Sequence, residues 1–349
     1  MRILVFGAGA IGSMLGHRLS RAGHDVMLVG RPGYVQEVQA RGLILEERGI
    51  VAAAYPRSVA HIEYLPASER AWDLILLTVK VYDTQAAVRT LAPFILQDTP
   101  LLLVQNGVGG EELAQEVLPE AALISGVITW PVSVLGPGHV ALQSTRGGAS
   151  LAPTRENQDI TPWAMLLTAA GVKTVTCRDY RAQKWSKLLL NILANAVPAI
   201  LDMSPGDVFA DPALFEIERM AYLETLAVMH ALRLQPVAFP DYPVPLLAWA
   251  MRSVPVPLLR PLLRRLVASG RGEKKPSLQI DLERRRERSE AQYLNGAVVQ
   301  YAERLGLDAL VNRAILDTLM GIATGQIAWD EYRGQPQKLV ARVHSARGG

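Results

Sequence analysis

The chain has 349 residues, half of them apolar and a fifth charged, which suits two domains and excludes both a single ordinary core and a disordered chain. A formal net charge of only +3 gives no global case for nucleic acid, so none is expected as a partner. The single cysteine, Cys177, excludes an intramolecular disulfide framework, and no apolar stretch approaches the roughly 20 residues that span a bilayer. On those grounds no membrane partner is expected and a cytoplasmic location is.

The N-terminus reads MRILVFGAGAIG, a short apolar run followed by glycines rather than the length and cleavage site of a signal peptide. Residues 2–6 (RILVF) predict a strand, the pattern through Ala22 a helix stopped by Gly23, and residues 25–29 (DVMLV) a second strand. Further apolar runs at 74–79, 101–105 and 123–129 read as strands, separated by helices at 82–92 and 111–117. Buried parallel strands read as continuous apolar runs because helices cover both faces of the sheet. Residues 132–142 (VSVLGPGHVAL) predict a hairpin, and 173–176 a last short strand. After about residue 180 helical patterns take over, at 181–201, 212–233, 245–268, 277–305 and 309–323, with a proline-rich loop at 234–243. The tail after Trp329 is polar and is expected to fray. The expected architecture is an α/β, Rossmann-like dinucleotide-binding domain over residues 1–178 and an all-α domain over residues 179–349.

Gly7, Gly9 and Gly12 form G-x-G-x-x-G between a strand and a helix, the context in which that pattern is specific. The first glycine permits the tight turn, the second lets the backbone approach a pyrophosphate, and the third lets helix and strand pack closely. Ala8, Ala10 and Ile11 complete the loop, whose helix N-terminus offers N–H groups to phosphate. The second strand ends in Val29, Gly30 and Arg31, where an NAD enzyme would carry Asp or Glu. A guanidinium there can hold a 2′-phosphate that a carboxylate would repel, so NADPH/NADP+ is the expected cofactor. Lys80, just past the strand at 74–79, is a second candidate for a cofactor contact.

Asn106 and Gly107 end the run LLLVQ, at the edge that faces ligand in a doubly wound sheet. From these residues alone a ligand-contacting amide and a plain Asn-Gly turn stand equally. Lys187, Asn191 and Asn195 are spaced i, i+4, i+8 and form one polar stripe on an otherwise apolar helix. That stripe suits the lining of a polar cleft, with the solvent face of an amphipathic helix as the plain alternative. Eleven Lys or Arg face four Asp or Glu between Arg252 and Arg288, which reads mainly as solvated helix surface. No metal site is expected.

With these motifs the chain resembles the ketopantoate reductase (2-dehydropantoate 2-reductase) family. The likeness runs through GAGAIG at 7–12, Arg31, VK at 79–80, QNG at 105–107, W-x-K-x-x-x-N-x-x-x-N at 185–195 and KPSLQIDLERRRERSEAQYLNGAVV at 275–299. The resemblance implies reduction of a 2-keto acid, ketopantoate to pantoate in pantothenate biosynthesis. It implies Lys187 as general acid, Glu290 as substrate anchor, Asn191 and Asn195 as polar contacts, Asn106 beside the cofactor and lysine, and Ser277 at the substrate carboxylate. Glu290 is placed by its spacing to Asn295-Gly296.

Two departures stand out: the Asp281–Glu290 spacing is one residue longer than the common pattern, with Arg284, Arg285, Arg286 and Arg288 between, and residues 234–272 look like an expansion. Two other readings remain: an NADP-dependent reductase of a different ketone or 2-keto acid, and an NADPH-binding sensor without turnover. A sensor would have no need of Lys187 and Glu290 together. A cleft between the two domains is the expected ligand site, and a homodimer through the helical domain is expected by analogy alone.

Overall fold

A computed structural model gives the fold and describes residues 1–96, 99–271, 275–285 and 287–348. Lys274 and Arg286 of the basic stretch lie outside the described residues. By packing, the chain divides into two compact units. The first holds Met1–Gln105, Gly109–Gln183 and Phe239–Tyr242; the second holds Asn106–Val108, Lys184–Ala238 and Pro243–Gly349.

The first unit is an α/β fold. Its elements are β1 (Arg2–Phe6), α1 (Ala10–Arg21), β2 (Asp25–Val29), α2 (Pro32–Arg41), β3 (Leu43–Glu47), β4 (Ile50–Ala54), β5 (Arg57–Val59) and β6 (Leu74–Leu77). They continue with α3 (Thr84–Leu91), β7 (Leu101–Leu103), α4 (Gly110–Val117), β8 (Leu123–Ile128), β9 (Val132–Gly136), β10 (His139–Leu142), β11 (Ala149–Pro153), α5 (Thr161–Ala169) and β12 (Thr174–Thr176). The main sheet runs β12-β11-β8-β7-β6-β1-β2-β5. It is parallel except where β11 meets β8. Strand order reverses at β1, so β1 and β6 flank the crevice where such sheets bind ligands. Alternate residues serve opposite cores: Ile3 and Val5 pack on one face, Leu4 on the other.

The expected hairpin is β9 and β10, paired antiparallel. It belongs to a second sheet, β4-β3-β10-β9, that the sequence reading did not anticipate. Its other hairpin turns at Arg48 and Gly49, both with positive φ (50° and 76°), the geometry usually signalled by Asn-Gly.

The helical unit contains most of α6 (Tyr180–Ile192), then α7 (Ala196–Leu201), α8 (Pro205–Ala210), α9 (Pro212–Ala231), α10 (Val244–Ser253) and α11 (Val256–Arg271). It ends with α12 (Ser277–Glu283), α13 (Asn295–Leu305), α14 (Leu310–Ala323) and α15 (Pro336–Gly348). Asp211 caps α9 by accepting from the amides of Ala213 and Leu214.

Three long helices expected from the sequence are broken. The stretch 181–201 divides at Ala194, whose φ of +54° is left-handed. The stretch 245–268 divides before Pro255, since proline disfavours helix in the residue ahead of it. The stretch 277–305 is interrupted by a 3-10 turn, Glu290–Tyr293. The expected fraying tail is instead α15, which buries Leu339 and Val343 completely.

Candidate active site

In the first unit the glycine loop follows β1 directly. Gly7 has φ +113°, and a Cβ there would lie 2.6 Å from the Val79 nitrogen. A Cβ on Gly12 would collide with the Gly7 carbonyl and Thr78 Oγ1, whereas one on Gly9 would meet nothing within 4 Å. The first and third glycines are therefore consumed by packing, and the second opens onto free space. The Thr78 hydroxyl donates to the Gly7 carbonyl at 2.7 Å, tying the end of β6 to the loop.

α1 starts at Ala10 with Gly9 as its cap, no side chain satisfying its first amides and no acid in its first turn. Its N-terminal N–H groups and positive dipole end thus suit an anion. The close-packed Gly12 and open Gly9 fit the diphosphate of a dinucleotide.

Arg31 follows β2, exposed, and forms the N-cap position of α2 ahead of Pro32. A Cβ on Gly30 would lie 2.7 Å from the Tyr34 ring and 2.9 Å from the Ala8 Cβ, so its space is taken by packing. Tyr34 also shares a 2.9 Å hydrogen bond with Ser13, and burial pushes its phenol up to about 12. Lys80 is half-buried one residue beyond Val79 and caps the 3-10 turn Val81–Asp83. Gly7 to Gly12, Arg31 and Lys80 thus gather at the carboxyl ends of β1, β2 and β6.

The remaining candidates lie in the helical unit. On α6 the side chains at 183–186, 188 and 189 are buried, leaving Lys187, Leu190 and Asn191 on the less buried face. Trp185 fixes the helix rotation by packing edge-on against Tyr301, ring centroids 5.2 Å apart. Ser186 helps by accepting from the Val237 amide at 2.8 Å. Asn191 Nδ2 is buried without a hydrogen-bond acceptor, an amide donor available to a ligand.

Asn195 is not on this stripe, a correction to the expected i, i+4, i+8 spacing. The helix stops at Ile192 because the Ala194 amide is drawn to Glu218 Oε2 of α9 at 2.8 Å. Asn195 then starts α7 and accepts from the Leu278 amide at 3.4 Å, beside half-buried Ser277 on α12.

Glu290 is only 3% exposed, at the start of its 3-10 turn. That turn also fixes the Asn106 segment. Gly107 adopts φ +90°, and the Val108 amide donates to the Tyr293 carbonyl at 3.1 Å. The segments that carry Asn106 and Glu290 are thereby joined, as are those that carry Asn195 and Ser277. Sequence reasoning missed Thr78, Tyr293 and Glu218 as supports. The first precedes a singled-out Val-Lys pair; the others carry no local signal. Among the described residues no group of three His, Cys, Asp or Glu could hold a metal ion.

Comparison with known proteins identifies the family. Residues 3–155 match the family model of ketopantoate reductase PanE/ApbA, and residues 179–323 match that of its C-terminal region. The chain is 27% identical over 328 residues to 2-dehydropantoate 2-reductase of Archaeoglobus fulgidus, covering 93% of this chain and 98% of that protein. It is 28% identical over 316 residues to the enzyme of the same name from Pyrococcus horikoshii, covering 89% and 94%.

Among solved structures, the PanE/ApbA family ketopantoate reductase of Ralstonia eutropha JMP134 superposes with a TM-score of 0.78 at 28% identity, covering 93% of this chain and 99% of that one. D-mandelate dehydrogenase with NADH and anilino(oxo)acetate gives the same TM-score at 21% identity over 93% of this chain and 99% of that one, a likeness of fold. With its two halves matched by the two models of one family, this chain belongs to the ketopantoate reductase family, dinucleotide-binding oxidoreductases that act on CH–OH groups.

Proposed function

We propose that the protein reduces ketopantoate, a 2-keto acid, to pantoate with NADPH, the step that serves pantothenate biosynthesis. The observation that carries this reading is the buried carboxylate of Glu290 on the turn that fixes Asn106, within the same unit as Lys187 and Asn191. A carboxylate held in place on that turn can accept a hydrogen bond from a substrate hydroxyl.

NADPH, when bound, supplies the hydride that reduces the keto carbon. The chain's own residues do the rest. The Lys187 ammonium stabilises the negative charge that develops on the keto oxygen and donates the proton that completes the alcohol. Glu290 accepts a hydrogen bond from the substrate hydroxyl, and Ser277, Asn191 and Asn195 offer polar contacts to the carboxylate end. Asn106 orients the carbonyl or the nicotinamide amide. Gly9 and the first turn of α1 receive the pyrophosphate, with Lys80 as a further contact, and Arg31 pairs with the 2′-phosphate.

The test is oxidation of NADPH and of NADH with a panel of 2-keto acids that includes ketopantoate. The reading expects ketopantoate to give the highest kcat/KM, and only with NADPH. Turnover of another keto acid in its place would support the reductase of a different substrate, to which the Asp281–Glu290 spacing and the 234–272 expansion also point. NADPH binding with no turnover of any panel member would favour a sensor.

A further inference from the structure

The helices α10 and α11 lie in the 234–272 expansion and take no part in the chemistry above. Val244, Ala248 and Met251 of α10 are buried, while Leu246 and Trp249 stand on its opposite side. On α11, Leu259 and Leu263 are buried and Leu258, Leu262 and Leu266 follow one another at i, i+4, i+8 on the outside. These five outward side chains are between 43% and 70% exposed. At about 100° per residue, Arg265 falls beside the leucine stripe of α11 on its solvent side. Arg252, Arg264 and Arg265 are all exposed.

The sequence of this segment is one-sided. Residues 242–272 contain five arginines, no lysine and not one Asp or Glu. An ordinary solvated helix face carries both signs. Exposed leucines and a tryptophan in a segment whose charges are all cationic are the composition of helices that lie in a bilayer interface, with the apolar side in the acyl boundary and the cations on anionic headgroups.

We propose that the outer face of α10 and α11 docks the protein onto the surface of a bilayer that contains anionic lipid. Charge complementarity selects this occupant over a second copy of the chain. A two-fold contact sets this segment against a second copy of itself, which has no acid to pair its arginines, whereas an anionic headgroup layer neutralises them. Among the described residues no helix is long and apolar enough to cross a membrane. The expectation of no membrane partner came from that lack of a spanning segment, and lying on a surface makes no such demand.

The full-length protein is sedimented with vesicles of pure phosphatidylcholine and with equimolar phosphatidylcholine and phosphatidylglycerol. It is expected to pellet with the mixed vesicles, to leave them as salt rises, and to ignore the neutral ones. Brominated lipid should quench part of the tryptophan fluorescence, and Trp249→Phe should remove that quenched part. Leu262→Glu, and separately Arg264→Glu with Arg265→Glu, should each weaken binding about tenfold or more with an unchanged thermal unfolding curve. Failure of the unaltered protein to bind mixed vesicles better than neutral ones would overturn the proposal. So would a dimer in sedimentation velocity that Leu262→Glu turns into monomer, since the face would then be covered by a second copy.

Discussion

The amide of Val108 reaches the carbonyl of Tyr293 at 3.1 Å, although 185 residues separate them in the chain. Between Asn106 and Val108 sits Gly107, at φ +90° and with room for a Cβ only 2.8 Å from the Tyr293 carbonyl oxygen. Gly107→Ala should therefore both strain the backbone and push the Asn106 turn off the Glu290 turn. Strain of this kind costs about 1–3 kcal/mol, so the melting temperature should fall by several degrees and kcat should fall with it. Thermal unfolding and steady-state NADPH oxidation measure the two effects. A variant with unaltered melting and kcat would mean that this turn does not hold the site.

The two glycines at the α1 N-terminus should separate folding from binding. Gly12→Ala has no room and should destabilise the protein, whereas Gly9→Ala meets nothing within 4 Å and should leave the melting temperature of the ligand-free protein nearly unchanged. The Gly9 methyl would occupy the space through which a pyrophosphate approaches, so NADPH affinity should fall at least about tenfold. Calorimetric titration of the Gly9→Ala protein decides this: retained affinity would move the diphosphate elsewhere.

Arg31 follows β2, with Gly30 and no carboxylate between them. Arg31→Asp should weaken NADPH far more than NADH, since one charge-assisted hydrogen bond is worth about 1.5–3 kcal/mol and the new carboxylate repels the phosphate. Equal dissociation constants for the two cofactors in the unaltered protein would remove Arg31 as the selector.

For Lys187→Ala the expectation is a loss of kcat of at least about a hundredfold with little change in NADPH affinity. Lys187→Arg should restore only part of it, because a guanidinium keeps the charge but is a very poor proton donor. Single-turnover NADPH oxidation with saturating ketopantoate, or the panel's best substrate, isolates the chemical step. An Ala variant about as fast as the unaltered enzyme would assign the proton to another group.

His17 on α1 predicts a pH dependence of stability. Burial lowers its pKa from the ordinary 6.5, and Arg18 and Arg21 lower it further, against the Ala52 carbonyl bond and Glu47, which raise it. The folded protein therefore holds His17 neutral while the unfolded chain takes up a proton. The resulting stability is present above pH 6.5 and is lost as pH falls from there through the lower folded value. Half-exposed His24, lowered by burial and the N-terminal amine, adds in the same direction. Denaturant midpoints should fall over this range, and His17→Gln should flatten the fall. An equally steep fall in that variant would assign the effect to other groups.

Much of this fold is written in the chain where both faces of a strand are buried. The runs 2–6, 25–29, 74–79 and 101–105 gave β1, β2, β6 and β7 because each has an unbroken stretch of at least three apolar residues, the last two strands stopping at Leu77 and Leu103. Other features depend on distant partners and leave no local mark. Ala194 turns left-handed for a carboxylate 24 residues away, so Asn195 left the stripe on which its spacing set it. The burial of Glu290 is hidden inside a run of charges. In the tail, Leu339 and Val343 are the buried residues of α15, a turn apart in a segment that is otherwise mostly polar or small. Arg48-Gly49 does the work usually left to Asn-Gly, and β3 and β4 were missed with it.

The exchange of short segments between the two units limits how the gene can be cut. Asn106–Val108 packs with the helical unit, and Phe239–Tyr242 packs with the α/β unit, where Lys173 Nζ meets Asp241 at 2.8 Å and the Gly147 amide donates to the same carboxylate at 3.0 Å. A clone ending near residue 183 would lack the strap that closes over Gly147 and Lys173. One beginning at residue 184 would leave the Tyr293 carbonyl without its donor. Neither half is a contiguous stretch of reading frame, so swapping helical domains between relatives requires five junctions to be respected rather than one.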